Sequence, residues 1–282
     1  MEVSSFFHAD TGTWTHVVVE GRDAVLIDPV LDFDARSAVA STRSADALLQ
    51  WLRERQLTVH WLLETHAHAD HISAGAYLKK QLGAALAIGA GIVAVQQQFA
   101  DVIKLDAREL TVFDRLLKDG DELPANAFSV TVIATPGHTA DSLCYRIGQH
   151  AFIGDTLFAP DVGSARCDFP GGSATQLFAS MQKILQLPDD TLLHLCHDYP
   201  VNGRAPRSST TVLEQRRSNI HIGSDRPASD YIALRQTRDA GLAVPVLFWP
   251  SIICNLRGGE LPAADAQDVR YLNIPLNYFG PH

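Results

Sequence analysis

A layered α/β fold, with sheets at the centre and helices outside, is predicted by two features of the sequence. Short apolar runs alternate with one-faced amphipathic stretches, and they do so in two similar halves. A third observation bounds the size: 282 residues at 46% hydrophobic content suffice to bury a real core. In the first half, residues 16–19 and 24–27 read as strands joined by the turn Glu20-Gly21-Arg22-Asp23. Ala45, Leu48, Leu49 and Leu52 recur at helical spacing, and residues 59–63 return to strand character. Ala74, Leu78 and Leu82 mark a helix ending at Gly83, followed by a strand over 85–88 and a helix over 92–99. In the second half, 115–121 and 128–134 read as strands around polar turns. Residues 142–147 and 151–153 form a hairpin through Gly148-Gln149-His150. Leu177, Met181, Ile184 and Leu185 give a helix stopped by Pro188, and 191–196 is an apolar strand. Helical stretches near 210–218 and 229–240 precede a tail rich in Pro and Gly.

Composition narrows the function classes. With 23 basic and 32 acidic residues the formal net charge is −9, the wrong sign for a surface that recruits nucleic-acid phosphates or anionic lipid. No apolar run reaches the length of a membrane span; the longest, 84–95, is too short. The start, Met1-Glu2-Val3-Ser4-Ser5, lacks a basic and an apolar signal region, and the four cysteines have no CxxC spacing. These absences set the expectation of a cytoplasmic protein without nucleic-acid or membrane partners. No repeat or long linker divides the chain, so residues 1–282 are expected to form one domain. Residues 200–282 would be its C-terminal helices and tail, completing the substrate pocket. The unusual count is 12 histidines.

Five of those histidines carry the chemistry. Glu64-Thr65-His66-Ala67-His68-Ala69-Asp70-His71 stands where an apolar strand ends and an amphipathic helix begins. Its four metal-capable side chains lie within six positions. In an extended segment His66 and His68 leave the same side and can meet one ion, with Asp70 and His71 turning back toward it. His138 (in Thr135-Pro136-Gly137-His138), Asp155 (in Ile153-Gly154-Asp155) and His197 (in Leu195-Cys196-His197-Asp198-Tyr199) each follow an apolar run. Functional loops of layered sheets gather at such strand exits. The other seven histidines, at 8, 16, 60, 150, 194, 221 and 282, need no special role; His150 reads as a hairpin-turn residue.

The series His-x-His-x-Asp-His, Gly-His, Gly-Asp and a strand-end His, over residues 66–197, resembles the motif set of the metallo-β-lactamase superfamily. The resemblance implies an αββα sandwich, two mixed sheets flanked by helices, with a metal site at one edge. Within that superfamily the flanks are similar to persulfide dioxygenases, with glyoxalase II as hydrolytic cousin. These flanks are Gly154-Asp155-Thr156-Leu157-Phe158, Ala165-Arg166-Cys167-Asp168-Phe169, His197-Asp198-Tyr199 and Asn255-Leu256-Arg257-Gly258.

Carried onto this sequence, the resemblance implies one Fe(II) held by His66, His138 and Asp155, with glutathione persulfide and O2 as substrates and sulfite and glutathione as products. Two imidazoles and a carboxylate leave coordination positions open, as non-haem Fe(II) oxygenases require. His68, Asp70, His71 and His197 would then orient ligands and water. Tyr199, Arg166, Arg216, Asn255 and Arg257 are the positions implied for glutathione, and a homodimer is compatible with the resemblance. Cys167 is either a reactive thiol or a small buried filler. The alternative is a dinuclear Zn(II) thioester hydrolase. In it His66, His68 and His138 hold one ion, Asp70, His71 and His197 the other, and Asp155 bridges them. A non-enzymatic metal or thiol sensor is the third reading.

Overall fold

The computed structural model describes residues 1–105, 111–223 and 225–280; His282 lies outside them. In chain order the strands are β1 (Glu2–His8), β2 (Thr13–Glu20), β3 (Asp23–Ile27), β4 (Val30–Asp34), β5 (Val39–Ser41), β6 (Thr58–Leu63), β7 (Ile72–Ser73), β8 (Ala85–Gly89), β9 (Arg115–Leu117), β10 (Glu122–Ala125), β11 (Phe128–Ala134), β12 (Leu143–Ile147), β13 (His150–Phe152), β14 (Leu192–His194) and β15 (Ser209–Thr211). The helices are α1 (Arg43–Glu54), α2 (Gly75–Leu82), α3 (Ile92–Ile103), α4 (Ala174–Leu185), α5 (Val212–Ser218), α6 (Ala228–Asp239) and α7 (Phe248–Asn255).

Two six-stranded sheets form the centre, in the orders β1-β2-β3-β6-β8-β9 and β10-β11-β12-β13-β14-β15. Both are mixed: β3, β6, β8 and β9 run parallel in the first, and only β13 and β14 in the second. Alternation along the strands decides the layers. Val18, Val25, Ile27 and Leu63 point inward to meet Leu123, Val132, Tyr145 and Phe152 between the sheets. Their neighbours Val17, Val19, Leu26 and Leu62 point outward and are covered by Leu48 and Leu49 of α1, Leu78 of α2 and Ile252 of α7. On the other outer face Leu177 and Met181 of α4 and Tyr231 of α6 pack on Ile153, Leu193 and Leu195. The result is helix, sheet, sheet, helix, the αββα order.

Several expectations change. A third sheet, β5-β4-β7, was not anticipated. Nor was β1, which pairs antiparallel with β2 along its whole length. The strand expected over 191–196 shortens to β14, because the chain beyond His194 breaks off to deliver Cys196 and His197 to the site. His150 opens β13 rather than sitting in the turn, and its Nδ1 lies 2.9 Å from His194 Nε2. The tail contains α7, whose apolar residues are buried nearly all round. Pro250 does not interrupt it, because a first-turn N–H has no helical partner to lose. Among the described residues no helix is long and apolar enough to cross a membrane.

Candidate metal centre

Four strand exits meet at one edge of the sandwich. The loop between β6 and β7 carries His66, His68, Asp70 and His71, and buried carboxylates shape it. Asp28, just past β3, accepts Thr65 N (2.7 Å), Thr65 Oγ1 (2.9 Å) and His68 Nε2 (3.1 Å). Asp141 accepts Ala67 N at 2.7 Å. From the far side, Asn255 at the end of α7 accepts Ser73 N and donates to the carbonyls of His68 and His71, each at 2.8 Å. His138 is delivered by the turn between β11 and β12. There Gly137 (φ 138°) permits a contact that a Cβ would forbid, since it would lie 2.2 Å from Leu177 N of α4.

The side chains form two adjoining groups. In the first, His66 Nε2 and His138 Nε2 face Asp155 Oδ2 at 3.9 and 3.6 Å. In the second, ligand atoms of His68, Asp70, His71 and His197 all lie within 4.8 Å of one another. Asp155 joins them: its Oδ1 lies 3.7 Å from His197 Nε2. His66 and His68, expected to meet one ion from an extended segment, therefore fall in different groups. The loop bends after Thr65, and Asp28 holds the His68 ring by Nε2.

Ring orientation is fixed by the nitrogen that faces away from the centre. Arg166 O can only accept, so His138 Nδ1 at 2.6 Å must donate to it, leaving a lone pair on Nε2. Thr13 Oγ1 sits between His71 Nδ1 (3.4 Å) and His197 Nδ1 (3.3 Å). Burial, reinforced by neighbouring imidazoles, holds His66 well below its ordinary pKa and brings His71 down to about 4. Burial also lowers His138, and these three rings are therefore neutral donors. Burial pushes the Asp155 carboxyl up to about 7 against the pull of His197, whereas Asp70 is held, against its own partial burial, well below the usual carboxylate range by His197, His71 and His68.

The donor set fits a metal ion. His68 Nδ1, His71 Nε2, His197 Nε2 and Asp155 Oδ1 are all buried with no hydrogen-bond partner, a costly arrangement unless a cation takes their lone pairs. The centre opens into a cavity of about 570 Å³ whose floor includes Asp70, His138 and Asp155 and whose wall includes Phe158, Tyr199 and Arg238.

The residues named from sequence divide. Arg166 and Tyr199 line this cavity. The Arg166 guanidinium, however, is engaged by Asp168 at 2.7 Å through both Nε and Nη2, and by Ala243 O at 2.7 Å. Tyr199 donates to Asp70 Oδ2 at 2.9 Å and stacks on His197. The structure does not bring Arg216, Asn255 or Arg257 to the cavity. Arg216 pairs with Asp189 and Leu185 O across α5 and α4, Asn255 spends its amide on the metal loop, and Arg257 is buried with Nη1 on Ile253 O. Cys167 is buried against Asp239, and burial raises its thiol to about 12, which fits the filler reading. Sequence reasoning missed Asp28, Asp141, Thr13 and Arg238. Asp28 was findable, since it follows the apolar run 24–27 as the ligand-type residues follow theirs. The others carry no local signal.

Two stacked mixed sheets with a histidine and carboxylate cluster at their strand exits define the class, and residues 9–197 match the Metallo-beta-lactamase superfamily. The chain belongs to that superfamily. It is 43% identical to a probable metallo-hydrolase of Burkholderia pseudomallei, over 98% of this chain and 99% of that protein. It is 44% identical to a beta-lactamase hydrolase-like protein of Xylella fastidiosa over 98% of this chain, spanning 64% of that longer protein. Among solved structures, ETHE1 from Myxococcus xanthus superposes with a TM-score of 0.74 at 29% identity, covering 92% of this chain and 100% of that one.

Proposed function

We propose that this chain is a mononuclear non-haem Fe(II) persulfide dioxygenase, converting glutathione persulfide, O2 and water to glutathione and sulfite. The observation that carries it is the convergence of His66 Nε2 and His138 Nε2 on Asp155 Oδ2 at the cavity floor. Two imidazoles and one carboxylate approaching from one side leave the cavity side open for two small ligands. Iron(II) bound there supplies electrons for activating O2. The chain's own residues bind, orient and exclude water. Arg238 lines the cavity, and among the described residues no carboxylate pairs with it, which suits it to a carboxylate of the tripeptide. The Tyr199 hydroxyl is spent on Asp70, and Phe158, Phe169 and Leu242 give the cavity apolar wall surface. Residues 228–247 supply much of this wall, which supports the expectation that the C-terminal part completes the pocket.

A second reading is a dinuclear Zn(II) hydrolase of glutathione thioesters. It is favoured by the unpartnered nitrogens of His68, His71 and His197 and by the position of Asp155 between the groups. The name of the Burkholderia relative points the same way. Metal analysis of the purified protein, combined with oxygen uptake on glutathione persulfide, decides between them. One iron per chain with oxygen consumption is expected; two zinc ions per chain, no uptake and thioester cleavage would replace the dioxygenase by the hydrolase.

A further inference from the structure

The face of α6 turned toward the centre is polar. Tyr231, Arg235 and Asp239 recur every four residues and are all buried. All three act on the loop 164–167. Tyr231 OH lies 3.0 Å from Ser164 Oγ, and Arg235 Nη1 donates to Ser164 O at 2.9 Å. Asp239 Oδ1 is paired with the Arg235 guanidinium, while its Oδ2 accepts Cys167 N at 2.9 Å and Cys167 Sγ at 3.4 Å.

Cys167 N and Arg166 C=O belong to the same peptide group. One side of that peptide donates to Asp239; the other accepts His138 Nδ1–H at 2.6 Å. We propose that Asp239 is a positioning residue for the metal centre, acting on His138 through the peptide between Arg166 and Cys167. A carboxylate pulling on the amide N–H increases the negative charge on the amide oxygen, because the two ends of a peptide are conjugated. The stronger acceptor holds His138 in the Nδ1–H tautomer, aims Nε2 at Asp155 and raises its donor strength. Metal-binding histidines are commonly backed by a carboxylate or a carbonyl; here the two act in series. Arg235 holds the Asp239 carboxylate directed at that peptide, so α6 sets the ring of a residue about a hundred positions earlier in the chain.

The proposal rests on His138 being a metal ligand, which both functional readings share. Removing Asp239 alone would strand the buried Arg235 cation and risk unfolding. The test therefore compares Arg235→Met/Asp239→Leu, which removes both charges, with Arg235→Lys, which keeps a cation beside Asp239 and leaves the acceptor. In metal-free protein labelled with 15N-histidine, the His138 Nδ1–H proton is expected far downfield in the parent, and shifted upfield in the double variant more than in the single one. Cobalt(II) affinity is expected to fall about tenfold in the double variant, the lower end of the range for groups behind a ligand, since Asp239 acts through two hydrogen bonds in series. An unmoved Nδ1–H resonance in the double variant overturns the relay. Unchanged cobalt affinity in His138→Ala overturns the ligand assignment instead, and the resonance still decides the relay.

Discussion

His138 and Asn255 illustrate how single side chains shape this centre. Each meets the metal loop or its neighbour through backbone atoms, so its effect depends on geometry more than on charge. Asn255 satisfies three buried backbone groups, His68 O, His71 O and Ser73 N. Asn255→Ala leaves them without partners; with each such group worth roughly 1–3 kcal/mol and some relaxation of the loop, a loss of about 3 kcal/mol is expected. Metal affinity should fall too, because the loop that carries His68 and His71 loses its tether. Thermal unfolding with and without a chelator checks both, and a variant with parental Tm and metal affinity would refute the tether.

At the scale of elements, the turns between strands matter more than the strands. The turn holding His138 is pressed on the first turn of α4, where Ser173 N donates to Gly137 O at 2.8 Å. Gly137→Ala would place a methyl group 2.2 Å from Leu177 N at a φ of 138°. The strain, about 3 kcal/mol, should move either α4 or the His138 turn. Calorimetry should show the destabilisation and metal titration a weaker centre; an unshifted Tm would mean that α4 yields freely. The far end of α7 makes a comparable approach. A Cβ on Gly259, at φ 84°, would lie 2.1 Å from Ser73 O. This explains why a helix absent from the periodicity pattern becomes part of the centre: its C-terminus closes on β7 and α2.

For the molecule as a whole, buried neutral histidines set the acid limit of stability. Away from the metal centre, burial brings His16 and His221 down to about 4 and His194 to about 2. Each folded-state value lies below the ordinary 6.5, so the unfolded chain binds protons first as pH falls. Their contribution is complete above pH 6.5 and is lost as pH falls from 6.5 toward 4. The metal-free protein should therefore show a Tm that declines below pH 6.5, because these three rings outweigh the buried Asp155 carboxyl, whose raised value acts in the opposite sense. A Tm constant from pH 7.5 to pH 5 would contradict this.

Much of the fold was legible. Helices α1, α2 and α4 follow from i, i+3, i+4 spacing, and β2, β3 and β6 from apolar runs, because one-sided burial imprints a local period. Strand β1 and helix α7 were not legible: the first is half-buried at an edge, the second buried nearly all round, and neither burial pattern leaves a simple period. At the site, the ligand-type residues could be read from their positions after apolar runs. By itself the sequence determined the superfamily, the layered fold and the inventory of imidazoles and carboxylates, since all three are written in local spacing. The sequence left two divisions of those groups open, and the tertiary structure groups His66, His138 and Asp155 on one side and His68, Asp70, His71 and His197 on the other. That structure also turned Asn255 from a substrate residue into a tether. The physical reason is that a ring's orientation depends on what holds its outer nitrogen. Asp28, Thr13 and the Arg166 carbonyl come to those rings from distant parts of the chain.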